Sequence, residues 1–264
     1  MTTATPTAPP PRPVIKKITT DDVYAALSQG WEDFKAVPQF GLFFGGVYAL
    51  IGIAILAQLW IWDLPLWILP LAFAFPLVGP FAAIGLYEVS RRRETGEPLE
   101  WDQILQVVWD QRHRQLPTMA FVVMAGFMIW VWFARLIAAL FIGRMDYAVY
   151  SNLDTLFTTP SGLTMLVVGT VVGGVIAFIL FSITAVSLPM LLERDIDFVT
   201  AMITSVNVVQ ENTRPMLTWA WIVAAGLIVA KIPFFLGLII ALPVLGHTTW
   251  HIYRKTVEPP RPVG

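Results

Sequence analysis

The chain has no cysteine. Disulfides, zinc–thiolate sites, iron–sulfur clusters and thiol nucleophiles are therefore excluded on this polypeptide. Charge is scarce as well: Asp, Glu, Lys and Arg make up 13% of the residues, against about a quarter in an ordinary soluble domain. The formal net charge is −1, which leaves no bulk electrostatic case for nucleic acid as a partner. Histidine occurs three times. A phosphate-cradling glycine loop and a nucleophile elbow are both missing.

What is present is apolar. Hydrophobic residues make up 56% of the chain, too much for the remaining polar surface to cover in water. A single membrane domain follows. A span needs about 20 mostly apolar residues, and six stretches approach that: Phe40 to Trp60, Leu66 to Leu86, Pro117 to Ile142, Leu163 to Leu191, Met216 to Ala230 and Pro233 to Tyr253. The fourth is long enough to tilt. The last two are parted only by Lys231, Ile232 and Pro233, which read as a tight turn because proline ends a helix. Met1 to Pro13 is rich in Pro, Thr and Ala and has no apolar run to order it. It does not read as a signal peptide, since the first long apolar stretch begins near Gln39.

Basic residues set the orientation. With a cytoplasmic N-terminus, the cytoplasmic segments hold fourteen of the 17 Lys and Arg; Arg135, Arg144 and Lys231 are the other three. That is a strong positive-inside bias. Trp60, Trp62 and Trp67 then mark the far interface, and Trp31, Trp101, Trp109 and Trp250 the cytoplasmic one.

Three connectors share a pattern: an amphipathic helix that ends at a proline opening the next span. The first runs from Thr20 to Ala36, capped by Thr20, with Val23, Leu27, Trp31 and Phe34 as its apolar face. The second runs from Glu100 to about Gln115, with Trp101, Leu105, Val108 and Trp109 apolar. The third starts near Asp195 or Asp197 and carries Phe198, Met202, Val206 and Val209. The returning helices repeat too. Gly79–Pro80 precedes Tyr87 and Arg91, Leu242–Pro243 precedes Trp250 and Arg254 at the same offsets, and Leu188–Pro189 precedes Glu193 and Arg194. The expectation is six transmembrane helices arranged as three hairpins, each preceded by a cytoplasmic interfacial amphipathic helix. The units span about 19–92, 98–193 and 195–256, between tails at 1–18 and 257–264. Gly41/Gly45, Gly169/Gly173, Ala134/Ala138 and Gly237/Ala241 are small-residue pairs suited to close helix packing.

Ionisable residues within a bilayer are costly and are candidates for function. Arg135 lies inside the third stretch, either snorkelling outward or pairing with Asp146 or Asp154. Glu88 lies near the inner end of the second stretch beside Arg91 and Arg92 and reads as solvated or at headgroup level. No Asp or Glu sits at the middle of any stretch, so carboxylate-coupled transport has no evident machinery. Asp22, Glu32 and Asp33, and Glu193, Asp195 and Asp197, read as solvated acids near helix ends. His247 and His251 are four apart and share a helical face, a spacing that can hold a metal. No Glu stands between them as in helical zinc sites, which favours an interfacial role.

The run from Leu77 to Arg91, Ser187 to Leu191 with Asp195 to Asp197, and Leu242 to Arg254 resemble motifs of a bacterial membrane family. It is a "domain of unknown function" family whose members are often labelled cytochrome c oxidase subunit I. The resemblance covers about Thr20 to Lys255 and implies a bacterial inner-membrane location, with no established activity. A catalytic haem–copper subunit needs six histidine ligands, whereas this chain has three, with His113 in a connector. The sequence thus points to a non-enzymatic accessory, assembly or scaffold protein, with no cofactor. Membrane lipids, and a homo-oligomer or a larger membrane complex, are its expected partners. A small-solute or lipid transporter, and a haem- or metal-binding oxidase accessory using His247 and His251, are the alternatives.

Overall fold

The computed structural model describes residues 13–60, 68–142 and 157–259, without the side chains of 58–60, 68–77 and 142. Arg12, Trp62, Trp67, Arg144, Asp146, Asp154 and Arg261, on which some expectations rest, lie outside the described residues.

The described residues form α-helices in this order: α1 Thr20–Ala36, α2 Pro38–Trp60, α3 Ile68–Thr95, α4 Trp101–Asp110, α5 Leu116–Ile142, α6 Pro160–Thr184, α7 Ser187–Glu193, α8 Phe198–Glu211, α9 Thr213–Lys231 and α10 Leu238–Thr256. A short 3₁₀ turn, Gln111–His113, follows α4. Local chemistry explains several boundaries. Thr19, one residue before the expected cap, accepts from the Asp22 N–H, and the Asp22 carboxylate accepts in return from the Thr19 N–H, a closed capping box. Asp197 caps α8 through the Thr200 N–H at 2.8 Å. After Lys231 the chain turns through Phe234 and Phe235, both at positive φ, before α10 begins.

Among the described residues four helices are long and apolar enough to cross a membrane: Pro38–Ala57, Leu116–Phe141, Pro160–Glu193 and Thr213–Lys231. The expectation of six spans as three hairpins is corrected accordingly. The stretch assigned to α10 fails for a physical reason, the polarity of its second half, and the described side chains of α3, from Val78 onward, end in a polar run as well. α3 ends in Glu88, Arg91, Arg92, Arg93 and Glu94, and α10 carries His247, Thr248, Thr249, His251, Arg254 and Lys255. Those polar residues are needed inside the protein. α10 lies along α1 and also touches α2, α3 and α9, and its His247, Thr248, Trp250 and Tyr253 are buried. Trp250 is therefore a core residue, not the interfacial marker expected of it.

The three connector helices form as α1, α4 and α8, but the inward face of α1 differs from the expected one. Val23, Ala26, Gly30, Asp33 and Phe34 are buried, and Trp31 is exposed. Small Ala26 and Gly30 let α10 come close, which rotates the large indole outward. Gly41 and Gly45 do the same on α2. A Cβ there would stand 2.9 Å from Pro243 Cβ and 2.8 Å from the Ile239 carbonyl oxygen, respectively. A second core of Phe40, Phe44, Tyr48, Leu86, Val89 and Ile104 joins α2, α3 and α4. By contrast, only 6% of the apolar window of the Pro160–Glu193 span is buried, and Val167, Val171, Val175 and Ile179 face outward.

The segment before α1 is held against the segment after α10. Ile15 and Val257 pair antiparallel. The Lys16 N–H donates to the Thr256 carbonyl at 2.8 Å, and the Glu258 N–H to that of Val14 at 3.0 Å. Asn212, between α8 and α9, accepts from the Ile18 N–H at 2.8 Å and donates to the Lys16 carbonyl at 3.1 Å. The two segments therefore lie on the same side of the molecule.

Candidate functional site

The polar residues converge where α3, α7 and α10 end. Asp33 of α1 is at the centre, 6% exposed. Its Oδ2 accepts from the Ser90 hydroxyl at 2.6 Å and contacts His251 Nε2 at 2.8 Å. Its Oδ1 accepts from Arg93. Ser90 Oγ also meets His247 Nδ1 at 2.8 Å. Three helices that are distant in sequence are thus tied by one carboxylate.

Burial pushes the Asp33 carboxyl up, but the hydrogen bonds from His251 and Ser90 and the nearby imidazoles outweigh it, so the carboxyl sits below its ordinary value. An ionised carboxylate only accepts. The single Ser90 proton therefore goes to Asp33, and His247 must donate its Nδ1–H to Ser90. His247 Nε2 is left as a lone pair, buried and without a hydrogen-bond partner among the described residues. Burial lowers the His247 pKa to about 4. The Asp33 charge and the Leu86 carbonyl pull it upward, while His251 and Arg93 add to the lowering.

Glu88, expected to be solvated or at headgroup level, is 1% exposed. It takes Arg91 Nε at 2.8 Å and Arg92 Nε at 2.6 Å. The correction has a simple cause: the two arginines neutralise it on its own helix and allow it to be covered. Asp33 and Glu193 were likewise expected among solvated acids. Instead the Glu193 carboxylate is held by the Tyr253 hydroxyl and, at 2.8 Å, by Arg254 Nη1. Glu94 accepts from Trp250 Nε1 at 3.1 Å and Arg254 Nε at 3.0 Å.

A cavity of about 390 Å³ opens beside this network. Its walls include Glu88, Arg91, Glu94, Glu193 and Arg254, with Trp250 and Leu192, and Asp110, Gln111 and Arg114 where α4 ends and turns. The returning-helix motifs meet here, for Arg91, Glu193 and Arg254 all line it.

His247 and His251 belong to one network, each bonded to a different oxygen: Ser90 Oγ for the first, Asp33 Oδ2 for the second. Among the described residues there is no group of three or more His, Cys, Asp or Glu placed to hold a metal. Arg135 stands apart from the network. It is exposed on α5 between Trp132 and Leu136, also exposed, and pairs with no described residue. Sequence reasoning missed Asp33, Ser90 and Gln111. A usable signal for Asp33 was Gly30 three residues earlier, on the face that already held Val23 and Ala26.

Long apolar helices with outward-facing side chains, and a polar knot confined to one end, define a multi-pass α-helical integral membrane protein. Residues 68–193, a little under half of the chain, match the model of the family described as "Predicted integral membrane protein (DUF2189)". The matched description carries no link to a cytochrome oxidase. No curated protein and no solved structure matches the chain.

Proposed function

We propose that this is a non-enzymatic accessory or scaffold protein of a bacterial inner membrane, working through its helix surfaces in its own oligomer or beside a larger complex. One observation carries the reading: the ionisable side chains at the polar end are largely committed to one another, while the apolar window of the Pro160–Glu193 span is almost wholly unburied. A helix that leaves so much apolar surface outside its own fold is suited to packing against lipid and other membrane helices. The clustered Arg91, Arg92, Arg93, Arg194, Arg254 and Lys255 support a cytoplasmic polar end, and with it cytoplasmic chain termini.

Mass measurement in polymer discs cut directly from native membrane tests this reading. Particles whose protein mass exceeds the 29.4 kDa of one chain are the expected result. A homogeneous population holding one chain and no other protein overturns it. The cavity favours one alternative, handling of a small solute or lipid, because charged groups of both signs line it. A solute-dependent flux in reconstituted vesicles would replace the first reading with that one.

A further inference from the structure

We propose that the cavity of about 390 Å³ binds an ammonium–phosphate zwitterion through Asp110, Gln111 and Arg114. The zwitterion is either free phosphoethanolamine or the headgroup of phosphatidylethanolamine. The inference is independent of the scaffold reading and concerns a ligand site.

Most charges in the walls are already matched. Arg91 gives its guanidinium to Glu88 and Glu97 through four hydrogen bonds of 2.8 to 2.9 Å. Arg254 is divided between Glu94 and Glu193. Glu88 is closed by Arg91 and Arg92, and Glu94 by Trp250 and Arg254. Such mutual pairs have little left for a ligand.

Three side chains on one turn differ. Asp110 makes no ion pair with a described residue. Among the described residues Arg114 reaches only the Arg194 carbonyl at 3.3 Å and the fully exposed Asp195 at 3.5 Å. Gln111 is 3% exposed, lines the cavity, and has a carboxamide that bonds to no described residue. Its amide atoms keep solvent access at the cavity, where a bound group can take the place of water. An amide can donate to an anion and accept from an ammonium. The turn therefore presents a carboxylate, an amide and a guanidinium in sequence, matched to a ligand that carries both charges.

Position points to phosphate as the anion. Arg114 lies two residues before the span that starts at Leu116, and Leu192 lies at the end of the Pro160–Glu193 span. The cavity is thus at the ends of two spans, at the depth where lipid phosphates lie. The volume is ample for the headgroup and lies within the range of small-molecule sites.

Full-length protein in discs of phosphatidylcholine alone is titrated calorimetrically with phosphoethanolamine, ethanolamine and inorganic phosphate. A second arm adds phosphatidylethanolamine to the discs and detects retained lipid by native mass spectrometry. The expected result is saturable binding of the zwitterion in one arm or both, at least tenfold tighter than either half-ligand. Binding in the first arm assigns the soluble source, and retention in the second the lipid. Gln111→Leu and Arg114→Gln are each expected to weaken it tenfold or more; the second is a solvent-edge change that keeps the fold. Absence of binding in both arms, equal affinity for inorganic phosphate, or binding unaffected by both variants overturns the proposal.

Discussion

Gly30 of α1 and Thr248 of α10 are in such close approach that a Cβ on the glycine would stand 2.2 Å from the Thr248 hydroxyl oxygen and 2.6 Å from its backbone nitrogen. A rotamer change relieves only the first clash. Gly30→Ala is therefore expected to force α1 off α10, at about 1–3 kcal/mol, the usual range for an overpacked core. Gly46→Ala is the matched control, because nothing among the described residues lies within 4 Å of its added carbon. Thermal unfolding in detergent checks the pair: a lowered midpoint for the first and an unchanged one for the second. Equal midpoints would mean that the two helices do not meet in this way.

Asp33 joins three helices, so its removal should exceed the effect of any neighbouring acid. Asp33→Ala leaves Arg93 partly buried without its carboxylate and deprives His251 and Ser90 of their acceptor. Breaking a buried pair from one side costs about 3–5 kcal/mol. Glu32→Ala, one residue away on the exposed face, is expected to change stability by less than about 0.5 kcal/mol. Chemical denaturation of both variants in the same detergent decides the matter.

This contrast shows what was legible in the sequence. The limits of α1, the four long apolar helices and the turn after Lys231 could be read, because helix caps, span length and proline act locally. The burial of Asp33 and Glu88 could not, since it depends on which remote helix supplies Ser90 or covers the arginines. The polar second half of α10 was misread for the same reason. A hydropathy window sums residues without knowing that His247 and Thr248 face another helix. Gln111 has no sequence signature; its place is given by a cavity built from five separate elements.

His247 predicts a pH dependence. Its pKa falls from the ordinary 6.5 to about 4 on folding, so the unfolded chain binds more protons between those values. Its contribution is complete above about pH 6.5 and is lost as pH falls toward 4, amounting to on the order of 3 kcal/mol. Asp33, whose carboxyl is also lowered, adds a further loss below its ordinary carboxylate range. His247→Asn keeps a donor near the Nδ1 position and removes the titration. The unfolding midpoint of the wild type should drop between pH 6.5 and 4, and that of the variant should stay level there. Parallel curves would contradict the buried, neutral imidazole.

The paired segments offer a covalent test. Facing residues of an antiparallel bridge have Cα atoms about 4.5–5.5 Å apart, within reach of a disulfide. The chain contains no other cysteine, so Ile15→Cys with Val257→Cys gives one unambiguous product. Mild oxidation in membranes should convert it to an intramolecular disulfide, seen as a reducible shift in gel mobility. Free thiols on both positions after oxidation would separate the segments.

Asp33 and His251 are 218 residues apart, and that separation sets a timetable for biosynthesis. At about 5–20 residues per second, α1 leaves the ribosome roughly ten to forty seconds before α10 exists. During that interval its buried face, with an ionised carboxylate at the centre, has no mate. The nascent chain must keep that face shielded or solvated until α10 arrives, so α1 is open to proteases and chaperones throughout that wait.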